Sequence, residues 1–257
     1  MHLNSRKVAG RLRVCYTPGM EKIYYYNSSS TDPTWNLALE EYVLLNFRDK
    51  KIFMLWQNDK TVVIGKNQIA ENEVDLKYAQ DNEISVVRRT TGGGAVYHDM
   101  GNVNYSFFMD YNPLKPVSLS DCAVPIAKAL NVMGAEASFS GRNDILCRGR
   151  KVCGTAERID GNRILAHGCI LFSVDLETMT RVLTPPAEKL AKRGISSVRS
   201  RVMNLKECFP DMNITDFKHT LAAGVLDGYN VEKLDFSFED LRGIMKLQKK
   251  YEMLPVS

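Results

Sequence analysis

A chain of 257 residues with 44% hydrophobic and 25% charged residues carries enough apolar material for a real core and fits one large domain. Its formal charge of +4 is local: Arg6, Lys7, Arg11 and Arg13 fall within residues 1–20 without an acidic residue, so residues 21–257 are balanced and lack the electrostatic footprint of a nucleic-acid binder. No apolar run reaches the length of a membrane span, and six cysteines without a CxxC pair, in a chain with no secretory apolar region, point to reduced thiols rather than zinc or disulfides.

Residues 1–20 read as a basic extension. It is an expression tag, an upstream start with Met20 opening the native protein, or a mitochondrial presequence. The first two readings outweigh the third, which makes the expected location cytoplasmic, with mitochondrial as the alternative. Asp32-Pro33 predicts a helix start, with Trp35, Ala38, Leu39, Tyr42 and Leu45 as its buried stripe. Strands are predicted at Ile52–Trp56 and Thr61–Gly65, separated by Asn58-Asp59-Lys60. Glu71–Glu83 predicts a helix, and Ile84–Arg88 a strand that runs into Thr90-Thr91-Gly92-Gly93-Gly94. Ala95–His98 and Val103–Met109 are extended. Asp121–Val132 predicts a helix ending near Gly134. Lys151–Arg158 and Arg163–Phe172 form a hairpin through the turn dipeptide Asp160-Gly161. Helices follow at Pro185–Lys192, stopped by Gly194, then at Thr215–Leu226 and Phe238–Tyr251. Helices and strands interspersed in this way indicate an α+β fold with mixed and antiparallel sheets flanked by helices.

Three segments carry chemistry. Three consecutive glycines after a strand leave room for a ligand and adopt positive φ freely, so their N–H groups can converge on an anion. Arg88 and Arg89 supply forked donors just upstream. The segment matches neither GxGxxG nor GxxxxGK[ST], and a simple turn with solvated arginines is an equal reading at this point. In the second segment, strand alternation puts Lys151, Cys153 and Thr155 on one side. A lysine directed inward there needs an anion; an edge lysine in water is the ordinary alternative. The third is His167 on the opposing hairpin strand, where a hydrogen-bonded core histidine is the commoner case.

Taken in order, Arg88-Arg89-Thr-Thr-Gly-Gly-Gly-Ala-Val-Tyr-His98-Asp99, Gly101-Asn102, Gly141-Arg142-Asn143-Asp144, Lys151-Val-Cys-Gly154-Thr-Ala156, His167-Gly168 and Ser197-Val-Arg-Ser-Arg201-Val-Met-Asn204-Leu205 resemble the lipoate–protein ligase A family. The likeness spans most of residues 22–205. It implies a biotin/lipoate-ligase-like catalytic fold over residues 21–257 and an ATP-dependent ligase. Such an enzyme activates lipoate as lipoyl-AMP and attaches it to a lysine of an acceptor lipoyl domain. The family suggests the glycine-cleavage H protein or E2 subunits of 2-oxoacid dehydrogenases as acceptors, with Mg²⁺ accompanying ATP. The resemblance also assigns residues. Lys151 touches both the lipoate carboxylate and the α-phosphate, and Arg89 contacts the nucleotide phosphates. Gly93, Gly94, Ala95, Val96 and Tyr97 hold ATP, and Asn143 and Asp144 position it. No protein metal site is implied. Trp35 and Phe107 are suggested as walls for the lipoyl tail.

Three readings stay open for the C-terminal side, because many members of the family continue into a small accessory domain and this sequence stops at Ser257. A separate protein supplies that part, or the chain only transfers lipoate from preformed lipoyl-adenylate, or the sequence is a piece of a longer protein. Two functional alternatives accompany the ligase. One is a lipoyl or octanoyl transferase using a preactivated donor, although the stretch before Asn143 has the ligase pattern rather than a cysteine nucleophile. The other is a non-catalytic lipoate-binding module.

Overall fold

The computed structural model describes residues 20–140, 143–184 and 201–253. Residues 1–19, Gly141, Arg142, the helix expected at Pro185–Lys192 with Gly194, and Ser197–Ser200 lie outside that set. The predicted α+β class holds. An eight-stranded sheet comprises β1 (Lys22–Asn27), β2 (Ile52–Trp56), β6 (Asn102–Asp110), β7 (Ala137–Ser140), β8 (Asp144–Cys147), β9 (Arg150–Asp160), β10 (Arg163–Leu171) and β11 (Asn230–Lys233), in the order β11-β1-β2-β6-β10-β9-β8-β7. The β11-β1-β2 pairings are parallel and the others antiparallel. A second sheet has the order β4-β3-β5, formed by β3 (Thr61–Ile64), β4 (Ser85–Arg88) and β5 (Val96–His98). The described helices are α1 (Pro33–Asn46), α2 (Leu76–Asp81), α3 (Leu119–Val132), α4 (Leu176–Val182), α5 (Ile214–Leu226) and α6 (Phe238–Met253).

Central strands β2 and β6 are covered on both faces, and period-two alternation divides their side chains between two cores. Phe53, Leu55, Val103, Tyr105 and Phe107 pack with Ile126 and Leu130 of α3 and with Phe217 and Leu221 of α5. Ile52, Met54, Trp56 and Phe108 pack with Leu39 and Val43 of α1 and with Ile244 and Tyr251 of α6. The small sheet turns Val63 and Val87 toward this α1 core, and Val62, Ile64 and Tyr97 toward α2 and α4 residues such as Ala79 and Met179.

Helix α1 starts as expected: Asp32 caps it, accepting from the backbone N–H of Thr34 at 2.8 Å, with Pro33 in the first turn. Its buried face differs from the predicted stripe. Ala38 and Leu39 are buried, but Trp35, Tyr42 and Leu45 are only half-buried, while Leu37, Val43 and Leu44 are fully covered together with Asn36, Glu40 and Glu41. The helix is sandwiched between the large sheet and α6, so more than one stripe is covered. The approach of α6 is close enough that a Cβ on Gly243 would overlap the Tyr42 ring. The Asp160-Gly161 hairpin is present, with Gly161 at φ 59°. Strands β1, β7, β8 and β11 and helix α4 were not anticipated; all are short and, apart from β8, only partly buried.

Candidate active site

The α1-facing side of the large sheet and the small sheet enclose a cavity. Arg89, Gly93, Gly94, Ala95, Val96, Tyr97, Asn143, Asp144 and Lys151 all border it, so residues from β5, β8 and β9 converge with the loop after β4 and the one before β8. Asn143 sits between β7 and β8, with its side chain 3.3 Å from the Thr155 carbonyl, and its own carbonyl receives both the N–H and the hydroxyl of Thr155.

Arg89 borders the cavity with its guanidinium turned onto its own loop. Its guanidinium donates to the carbonyls of Val63 (3.0 Å), Gly92 (2.7 Å) and Gly94 (2.8 Å), and its Nε to Thr91 Oγ1 (2.9 Å). Neutral acceptors do not offset the desolvation of a buried cation, and burial holds its pKa down to about 10. Gly93, at φ 95°, lies where a Cβ would press on Arg89 Nη2. In this arrangement Arg89 shapes the glycine loop by binding two of its carbonyls.

Lys151 reaches the cavity through a break in alternation. Ile145 pairs with Cys153 while Leu146 pairs with Lys151, so Val152 is an extra residue in β9. The expected grouping of Lys151, Cys153 and Thr155 on one side therefore fails: Val152 and Cys153 are both buried in the α3 core, and the lysine turns to the other face. There its Nζ lies over Gly154, where a Cβ would stand only 2.7 Å from it. Lys151 Nζ pairs with Asp144 Oδ1 at 2.7 Å, and Asp144 Oδ2 is bonded by Arg201. Arg201 lies in a family-like motif that by itself assigns the residue no role. Its proximity is set by the residues after it: Val202 bridges to Lys151, and Met203 N–H donates to the Lys151 carbonyl at 3.0 Å. Burial pushes the thiols of Cys153 and Cys169 up, so neither is prepared as a thiolate nucleophile.

The remaining wall is a buried polar network backed by apolar side chains. Leu37, Trp56 and Val96 border the cavity. The expected walls do not: Phe107 is buried in the opposite core, and Trp35, in the first turn of α1, is half-buried outside the cavity lining. His167 lies 3.0 Å from Glu40 and 2.9 Å from Thr91. His98 is buried in the cavity wall, and burial lowers its pKa to about 3.

The lipoyl protein ligase A/B catalytic domain model matches residues 32–226. Lipoate–protein ligase 1 of Staphylococcus aureus is 38% identical, the match covering 86% of this chain and 68% of that protein. Among solved structures, a chain of a bipartite lipoate protein ligase from Thermoplasma acidophilum, described with its E2 lipoyl domain, superposes with a TM-score of 0.78 at 27% identity, covering 91% of this chain and 94% of that one. A lipoate–protein ligase A bound with ATP gives a TM-score of 0.75 at 25% identity over 91% and 97% of the two chains.

Proposed function

This chain belongs to the lipoyl protein ligase A/B catalytic domain family, and from that premise we propose that it is an ATP-dependent lipoate–protein ligase whose chemistry centres on Lys151. In the first step an oxygen of the lipoate carboxylate attacks the α-phosphorus of ATP and pyrophosphate leaves. In the second, the free amine of an acceptor lysine attacks the carbonyl of lipoyl-AMP, giving an amide and AMP.

Both reactants of the first step are anions, so the site must supply positive charge. Lys151 and Arg201 face the single carboxylate of Asp144, which leaves one positive charge in excess. That excess is the observation that carries the reading. Lys151 bridges the lipoate carboxylate and the α-phosphate and stays protonated, since its work is electrostatic. The backbone of Gly93, Gly94, Ala95, Val96 and Tyr97 holds the triphosphate, and Asn143 positions the nucleotide. Arg89 acts on the phosphates through the loop it grips. Leu37, Trp56 and Val96 form the wall for the apolar tail.

Mg²⁺ fits the donor set. Asp144 Oδ1 meets Lys151 without an aligned hydrogen bond, so it retains a lone pair for a hard cation. Among the described residues no cluster of three or more His, Cys, Asp or Glu forms a metal cage; magnesium ordinarily needs only one or two carboxylates beside substrate phosphates and water. When bound it neutralises developing phosphate charge.

Residues 21–257 act as the catalytic domain, with lipoyl domains as acceptors: the glycine-cleavage H protein and E2 subunits of 2-oxoacid dehydrogenases. A separate accessory protein completing adenylation accords with the bipartite relative. A cytoplasmic setting suits the free thiols of Cys122, Cys147, Cys153, Cys169 and Cys208; among the described residues no helix is long and apolar enough to cross a membrane. The test is incubation with lipoate, Mg·ATP and a lipoyl domain, following pyrophosphate release and acceptor mass. Lipoylation with pyrophosphate is expected. Modification from lipoyl-adenylate alone makes the chain a transferase, and binding without modification makes it a carrier.

A further inference from the structure

Three exposed glycines have no side chains with which to pack, so Gly92, Gly93 and Gly94 take their position from whatever holds their carbonyls. Arg89 holds two of them, which moves the question to what holds Arg89. Its Nε donates to Thr91 Oγ1 at 2.9 Å. A guanidinium only donates, so the hydroxyl hydrogen of Thr91 remains available for its other neighbour, His167 Nε2, at 2.9 Å. His167 Nδ1 lies 3.0 and 3.1 Å from the two carboxylate oxygens of Glu40. A carboxylate has no hydrogen to give, so Nδ1 carries one. From the other side, Trp56 Nε1 donates to Ser106 Oγ at 2.8 Å, and Ser106 donates to Glu40. Two files of donors therefore meet at one carboxylate on α1, and every member is buried.

We propose that Thr91 and His167 are positioning residues for the nucleotide loop: they tie Arg89 to Glu40 and so fix where the glycine N–H groups stand. The proposal rests on the ligase reading above. A chain anchored in a helix and a sheet strand transmits a defined position, whereas the loop alone has only backbone freedom. Both ring nitrogens of His167 are engaged, Nε2 as acceptor and Nδ1 as donor.

The experiment compares Thr91→Val, which keeps the shape and removes the hydroxyl, with Thr91→Ser, which keeps the hydroxyl. Lipoyl-adenylate formation is measured while ATP and lipoate are varied separately. Thr91→Val leaves Arg89 Nε with the Gly92 carbonyl alone and removes the hydroxyl donor to His167 Nε2, which should raise the KM for ATP about tenfold, with the KM for lipoate changing far less and Thr91→Ser close to wild type. Equal KM changes for both substrates, or no rescue by serine, overturn the proposal in favour of a general packing role. A ¹⁵N NMR measurement on the imidazole of the wild-type chain provides an arm that needs no activity. Hydrogen on Nδ1 with Nε2 accepting is expected, and hydrogen on Nε2 alone overturns the chain of donors. If the wild type forms no lipoyl-adenylate, the ligase reading fails by itself and the tautomer still decides the hydrogen-bond order.

Discussion

Strand β6 shows two opposite designs on its two sides. Toward α3 and α5 it presents Val103, Tyr105 and Phe107, which join an apolar core. Toward α1 it presents Phe108 near its end and, before it, Asn102, Asn104 and Ser106, all three buried and linked into polar networks: Asn102 donates to Asn104, Asn104 faces His98, and Ser106 lies between Trp56 and Glu40. One backbone ladder serves both. Apolar burial stabilises in rough proportion to area and tolerates repacking. Buried polar groups contribute little net stability but are costly when left unpaired, so they fix geometry. The first side should therefore govern whether the chain folds, and the second how well a folded chain works.

The sharpest way to break this division is to cut into each side separately. Phe53 is wholly buried on the apolar side, 4.7 Å from the Phe107 ring centroid. Phe53→Ala should cost about 3–5 kcal/mol in urea unfolding, with adenylation per folded molecule unchanged. A loss of specific activity there would show that the two sides are not separable. On the polar side, Lys151→Ala should reduce adenylation by about 10²–10³, while the unfolding midpoint moves little because Asp144 keeps Arg201 as a partner. Wild-type adenylation in that variant would remove Lys151 from the mechanism. Gly154→Ala sharpens the same point without touching a charge. The added Cβ would stand 2.7 Å from Lys151 Nζ, the end of a flexible side chain, so the fold should persist while the ammonium shifts. A displacement of that order lowers turnover up to about a hundredfold; steady-state kinetics beside a thermal melt distinguishes this from misfolding.

What the sequence made legible follows the same boundary. The triple glycine, Lys151 and Asn143-Asp144 are chemical signals that survive without coordinates, and Gly93, Gly94, Lys151, Asn143 and Asp144 do converge on one cavity. Long helices and the β9–β10 hairpin were readable from periodicity and a turn dipeptide. The edge strand β11 and its neighbour β1 were not, because partly exposed strands lack clean alternation. The bulge at Val152 has no local signature, so strict alternation placed Cys153 beside Lys151 instead of in the opposite core. Arg89 offered donors in the right place, but the competing Val63 carbonyl comes from a strand 26 residues away. The link between His167 and Glu40 spans 127 residues, and the one between Arg201 and Asp144 spans 57. Nothing in a single sequence specifies such contacts.

The smallest effect tests the polar side through pH. Asn58 Oδ1 faces Asn36 Nδ2 at 3.0 Å, so its own amide donates to His98 Nδ1 at 3.2 Å. That leaves His98 neutral and buried, with its pKa lowered to about 3 by burial, whereas an unfolded histidine titrates near 6.5. Below that value the unfolded chain takes up a proton that the folded chain refuses. Stability due to neutral His98 is thus fully present above about pH 6.5 and falls by roughly 1.4 kcal/mol per pH unit on acidification toward the folded pKa. His98→Gln removes this titration. The stability difference between wild type and variant, from urea unfolding at several pH values between about 6.5 and 4, should therefore shift against the wild type as acid is added. A constant difference would mean that His98 takes up its proton in the folded state, and that the polar side is wetter than its geometry implies.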